Sequence, residues 1–182
     1  MQIQEFRDGI FALRTRRFGT VAEIMIKKLY KFKDSRLLNY DKLDPNSNRR
    51  IEIKFSTVMK ANDATITDEN VIEQCLKANV AHRAMNSTEI SDFSFDCNIQ
   101  QIKCDQFDIL YYGLFFADKV QIFMMTADQV KNKENTKYSN KQHRNNEGEG
   151  QFHINNETYA YHKQNHLQHE LSYSDLYKLL KA

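Results

Sequence analysis

Apolar residues Ile3, Phe6, Ile10 and Leu13 recur at steps of three and four, the period of one helix face. Phe18, Val21, Met25, Leu29 and Phe32 repeat the spacing. The pattern predicts helices near 3–14 and 20–33, with Thr20 capping the second. At Ile51, Ile53 and Phe55 the period becomes two, alternating with Glu52, Lys54 and Ser56, which predicts a half-buried strand. Residues 37–43 are its expected partner, joined through the turn chemistry of Pro45-Asn46-Ser47-Asn48. Residues 68–84 predict a helix capped by Thr67. Segments 97–103, 107–116 and 120–126 read as strands, the second so apolar that it belongs at the sheet centre. Residues 131–150 are rich in Lys, Asn, Glu and Gly and predict a long polar loop. The runs at 151–154 and 159–162 flank Asn155-Asn156-Glu157-Thr158 and predict a second hairpin. Ser172 with Asp175 predicts a capped C-terminal helix.

The expected fold is α/β, a mixed central β-sheet flanked by helices. The 182 residues suit a single domain. Its parts are a helical stretch 1–34, a core 35–130, a polar loop and hairpin 131–170, and a terminal helix 171–182. Hydrophobic residues at 41% and charged residues at 27% exclude a collagen, a disordered tail or a membrane bundle. No run approaches the ~18 apolar residues of a membrane span, and the first 17 residues lack a signal-peptide core. A cytoplasmic protein with no membrane partner is expected. Cys75, Cys97 and Cys104 have no CxxC spacing and read as free thiols.

Charge is unevenly spread. From Arg7 to Lys54 there are 13 Lys and Arg against 6 Asp and Glu, or +7, whereas the whole chain carries +2. This basic stretch contains the most informative residues. Glu52 and Lys54 share one face of their strand, while Ile51, Ile53 and Phe55 take the other. A four-residue loop would pair Asp44 with Arg49, and the same register puts Asp41 opposite Glu52. Opposed side chains point the same way, with Cβ atoms ~5 Å apart. Two facing carboxylates call for a cation between them, and Mg²⁺ takes carboxylate oxygens while keeping waters. A water on that ion, beside Lys54, would suit attack on a phosphodiester. An exposed Glu–Lys pair of purely structural value would carry the same tripeptide.

Asp41, a turn, and Ile51-Glu52-Ile53-Lys54 together resemble the PD-(D/E)XK nuclease motif. The compact layout is similar to the orthodox Type II restriction endonucleases. The resemblance implies Asp41 and Glu52 as metal ligands, Lys54 as the assistant of the attacking water, and Mg²⁺ as the only cofactor, with no organic cofactor. Tyr40 stands where the family's Pro precedes the first carboxylate, so Asp44, followed by Pro45, is a rival to Asp41. Glu23, on the preceding helix, is similar in placement to a further acidic residue that family members carry near the metal.

The resemblance implies double-stranded DNA as substrate and sequence-specific cleavage. Cutting both strands of a two-fold site then implies a homodimer, with the helices before residue 34 as the expected contact. Lys141, Gln142, His143, Arg144, Asn145 and Asn146 form a run of side chains able to read base edges. Gln101 and Lys103 are further candidates. Arg14, Arg16, Arg17, Lys27, Lys28, Arg49 and Arg50 could meet phosphates. A structure-specific or repair nuclease of the same fold is the alternative among enzymes, and a non-catalytic nucleic-acid-binding module is the alternative outside them. The spacing of His162 and His166 suits zinc on a helix, but no third ligand or HExxH frame accompanies them.

Overall fold

The computed structural model describes residues 3–62, 64–141 and 147–182. Helices α1 (Ile3–Phe11) and α2 (Thr15–Tyr30) come first, followed by short strands β1 (Lys33–Asp34) and β2 (Lys42–Leu43) and the long strand β3 (Arg50–Thr57). Two short helices, α3 (Val71–Lys77) and α4 (Val80–Arg83), lead to β4 (Asp96–Ile102), β5 (Ile109–Phe115) and β6 (Lys119–Thr126). Then come α5 (Ala127–Lys131), α6 (Lys133–Thr136), β7 (Ser139–Lys141) and β8 (Glu147–Asn155), and finally α7 (Tyr159–His166), β9 (Leu167–Ser172) and α8 (Tyr173–Lys181).

Among the described residues, six strands form one sheet in the order β1-β2-β3-β5-β6-β9, and three form a second in the order β4-β8-β7. The main sheet is mixed. β3 and β5 are parallel, and its other pairs are antiparallel. The fold is therefore α/β with a mixed central sheet flanked by helices, as the alternation of patterns predicts.

Strand register assigns each face. Ile51, Ile53, Ile109, Tyr111, Phe115, Val120 and Ile122 point to α1, α2 and α8, where they bury Phe11, Phe18, Met25 and Leu176. Leu110, Tyr112, Leu114, Phe123 and Met125 point the other way, onto Ile99, Ile102, Phe152 and Ile154 of the second sheet. β5 is buried along its whole length, which explains its unbroken apolar run. Gly113 is required where Phe55 crosses β5. A Cβ there would lie 2.3 Å from the Phe55 ring and 2.2 Å from the Gln121 carbonyl oxygen. Gly113→Ala is therefore expected to destabilise the fold by about 1–3 kcal/mol, read as a lower denaturant midpoint with an unchanged m-value.

Several expected boundaries differ. α1 ends at Phe11, short of residue 14. α2 starts at Thr15, five residues before the expected cap, and Thr20 only donates its hydroxyl to the Arg16 carbonyl. Burying Phe18 edge-on against Phe115, with 5.0 Å between centroids, outweighs the ~1 kcal/mol that Gly19 costs a helix. The expected helix 68–84 is two short ones, with Asn70 and Asn79 at the caps in place of Thr67. Only Lys42 and Leu43 of 37–43 form a strand. The expected polar loop 131–150 contains α6, β7 and the start of β8. Residues 159–162 belong to α7, so the expected second hairpin is a strand followed by a helix. The C-terminal helix is as expected, with Ser172 Oγ accepting the Asp175 N–H. Among the described residues no helix is long and apolar enough to cross a membrane.

Candidate active site

The hairpin has the register its turn dictates. Asp44 N–H donates to the Arg49 carbonyl at 3.0 Å, and Lys42 and Leu43 pair with Ile51 and Arg50. Asp44 is committed to the turn itself, accepting from the Asn46 N–H at 2.9 Å and from the Ser47 hydroxyl at 2.5 Å. These bonds hold its carboxyl below the ordinary range. Asp41 is placed differently. Its N–H bonds the Ile51 carbonyl at 3.0 Å, and its Oδ2 accepts the Ile53 N–H at 2.8 Å. A carboxylate oxygen thus substitutes for a backbone acceptor just before β2 begins, and this pins Asp41 beside β3. Of the two rival aspartates, Asp41 is the one brought to Glu52 and Lys54.

Glu52 and Lys54 lie on the face of β3 turned toward the second sheet, because their partners on β5 are Leu110 and Tyr112. Glu52 is only 8% exposed. Lys54 Nζ lies 2.5 Å from Glu52 Oε1. Burial pushes the Glu52 carboxyl up to about 7, opposed by the Lys54 charge and reinforced by Asp41. Burial also raises Asp41, against the pull of Lys54, while Glu23 raises it further. For Lys54, burial disfavours the charge, but Glu52 and Asp41 outweigh it and hold the ammonium above its usual pKa. Asp41, Glu52, Lys54 and Glu23 therefore share one electrostatic cluster.

Glu23 acts on this cluster from α2 through its charge alone and is held by Lys42, whose Nζ is 2.8 Å from Glu23 Oε2 and 3.5 Å from Asp34 Oδ1. Lys42 is buried, although nothing in its own strand pattern singles it out. The signal was present in the register, because Lys42 faces Ile51 and so points to the apolar side. A buried ammonium there requires carboxylate partners.

The donor chemistry suits a hard divalent cation. Two carboxyls with raised proton affinity lie side by side, and among the described residues no hydrogen bond engages Asp41 Oδ1. Among the described residues no three His, Cys, Asp or Glu side chains form a ready-made metal cage. Mg²⁺ does not need one, because it binds through one or two carboxylates and keeps several waters. The oxygens of Asp41 and Glu52 thus fit Mg²⁺ by type and number.

A cavity of about 550 Å³ opens at the start of β3, lined by Arg49, Arg50, Asp105, Asp108 and Lys131 among others. Arg50 shares its strand face with Glu52 and Lys54, but Asp41, Glu52 and Lys54 do not line this cavity. Its charges are largely committed, Arg50 to Asp108 at 2.7 Å and Lys131 to Asp105 at 2.9 Å. Of the expected phosphate contacts, Lys27 is paired with Asp34, and Lys28 donates to the Leu180 carbonyl. Arg14, Arg16, Arg17 and Arg49 are exposed.

The expected base readers are scattered. Gln142, His143, Arg144, Asn145 and Asn146 lie outside the described residues. Lys141 is exposed at the end of β7. Lys103 is paired with Glu149 at 2.9 Å. Gln101 is exposed at a bulge in β4, with φ at 60°. His162 is fully buried with Nδ1 2.8 Å from the Tyr112 hydroxyl, and His166 Nε2 is 3.1 Å from the Tyr161 hydroxyl. These imidazoles serve the core. Cys75 is exposed and Cys97 and Cys104 are buried, all as free thiols. Compared with protein-family models, curated proteins and solved structures, the chain matches none.

Proposed function

We propose that the protein is a Mg²⁺-dependent, sequence-specific endonuclease of double-stranded DNA, with a restriction-endonuclease-like fold and a homodimeric working form. The supporting observation is the geometry of the hairpin, whose register sets Asp41, pinned by the Ile53 N–H at 2.8 Å, opposite Glu52, with Lys54 Nζ 2.5 Å from Glu52 Oε1. Asp41 and Glu52 would hold the ion. When bound, Mg²⁺ lowers the pKa of water and screens the phosphate charge. Lys54 keeps its ammonium at the edge of the same cluster, where it orients the attacking water and steadies charge growing on the phosphoryl oxygens. Glu23, anchored by Lys42, adds negative charge that strengthens cation binding. Arg14, Arg16, Arg17 and Arg49 supply exposed cations for the DNA backbone.

The ion pair of Lys54 with Glu52 at 2.5 Å also favours a second reading, a nucleic-acid-binding module in which the pair is purely structural. Incubating a defined circular plasmid with the purified protein and Mg²⁺ separates the readings. Discrete bands that disappear with EDTA are expected. A smear would favour a nuclease without sequence preference, and an intact plasmid would remove the nuclease reading.

A further inference from the structure

Four of the large apolar side chains exposed among the described residues fall in one short stretch, Ile66, Val71, Ile72 and Leu76. Three of them sit on α3. Ile72 and Leu76 are 75% and 65% exposed, one turn apart, opposite the buried Gln74 that accepts from Asn62 at 2.7 Å. Val71 and Cys75 border this stripe on one flank, and Glu73 and Lys77 border it on the other. Glu73 and Lys77 pair with each other at 2.5 Å. By contrast, the apolar faces of α1 and α2 are already covered. Ile10, Phe11, Phe18 and Met25 are buried against the sheet, and Phe6 packs on Tyr177 of α8 with 5.3 Å between centroids.

We propose that α3 is the centre of a two-fold contact between two copies of this chain, in place of the helices before residue 34. In an antiparallel two-fold pair of helices, like flanks face each other. Ile72 of one copy then meets Leu76 of the other. Glu73 meets Lys77 on one flank, and Cys75 meets Cys75 of the second copy on the opposite flank. Under that two-fold the flanking charges are self-complementary, as an isologous contact requires. Naming a second copy rests on the proposed cleavage of both strands; the apolar stripe and its flanking charges do not. A two-turn helix from each copy makes a small core, so a weak, reversible dimer is expected.

Sedimentation velocity of the full chain over a concentration series tests this. A concentration-dependent dimer is expected. Leu76→Glu, on an exposed position that leaves folding intact, should yield monomer. Glu73→Lys should weaken the dimer and the added Lys77→Glu should restore it. Mild oxidation with copper(II)-phenanthroline should join two Cys75 side chains, the thiols giving two protons to solvent and two electrons to copper(II). Cys75→Ser should abolish that covalent dimer. A monomer at every concentration, or a dimer unmoved by Leu76→Glu, overturns the proposal. A dimer that cleaves nothing leaves the contact standing and removes the nuclease, whereas a monomer that cleaves does the reverse.

Discussion

Lys54→Met is expected to lower the rate of duplex cleavage by about 10³-fold or more, with DNA affinity largely kept. The side chain lies in the cluster that would meet the scissile phosphate, and its ammonium is held charged by Glu52 and Asp41 despite burial. Methionine keeps most of the apolar stem, so packing against β5 changes little. The loss then falls on the chemical step, because the proposed ammonium contact strengthens as charge grows on the phosphoryl oxygens. Single-turnover digestion of a short duplex measures the rate, and a gel-shift titration with Ca²⁺ in place of Mg²⁺ measures binding. A variant that cuts at the wild-type rate removes Lys54 from the chemistry. Equal losses of binding and cutting assign it to holding DNA.

Acid is expected to act in opposite directions at two of the buried groups of the metal-free protein, Glu52 and His162. Glu52 has an ordinary carboxyl pKa of 4.5 when unfolded and about 7 when folded. Between those values the folded state binds the extra proton, so acidification through that window stabilises the fold. His162 behaves in the reverse way. Burial, helped by the neighbouring His166, lowers it from 6.5 to about 4. Between those values the unfolded chain binds the proton, so acidification destabilises the fold, by about 3 kcal/mol over the full window. His162→Phe leaves the Tyr112 hydroxyl without its partner, an offset that does not vary with pH. On top of that offset, the variant should gain on the wild type as pH falls from 6.5 to 4. Glu52→Gln should instead lose ground as pH falls from 7 to 4.5. Denaturant unfolding at a series of pH values measures both, and stability curves parallel to the wild type would contradict the assignments.

The parts of this fold legible in the sequence are those governed by local geometry. The turn at 45–48 sets the hairpin register, and that register places Asp41, Glu52 and Lys54 together. Alternation of Ile51, Ile53 and Phe55 with polar residues gives the face on which Glu52 and Lys54 stand. Features set by distant packing were not legible. α2 extends through Gly19 because Phe18 finds Phe115, nearly a hundred residues away. Lys42 is buried because Glu23 and Asp34 arrive from two other elements. Residues 159–162 alternate like a strand but become a helix, since that turn brings His162 onto Tyr112 and Phe152. The polar segment 131–150 gained strand structure by pairing with β4 through β8. Tyr138 anchors it by lying where a Cβ at Gly150 would be, 2.0 Å from its hydroxyl oxygen.

Diffraction from crystals grown with Mn²⁺, recorded for its anomalous signal, locates a bound divalent cation directly. One strong peak is expected at about 2.0–2.2 Å from oxygens of both Asp41 and Glu52, with Lys54 beside it, and its loss is expected in Glu52→Gln. An empty cluster at saturating Mn²⁺, with Lys54 still paired to Glu52, would contradict the proposed metal site.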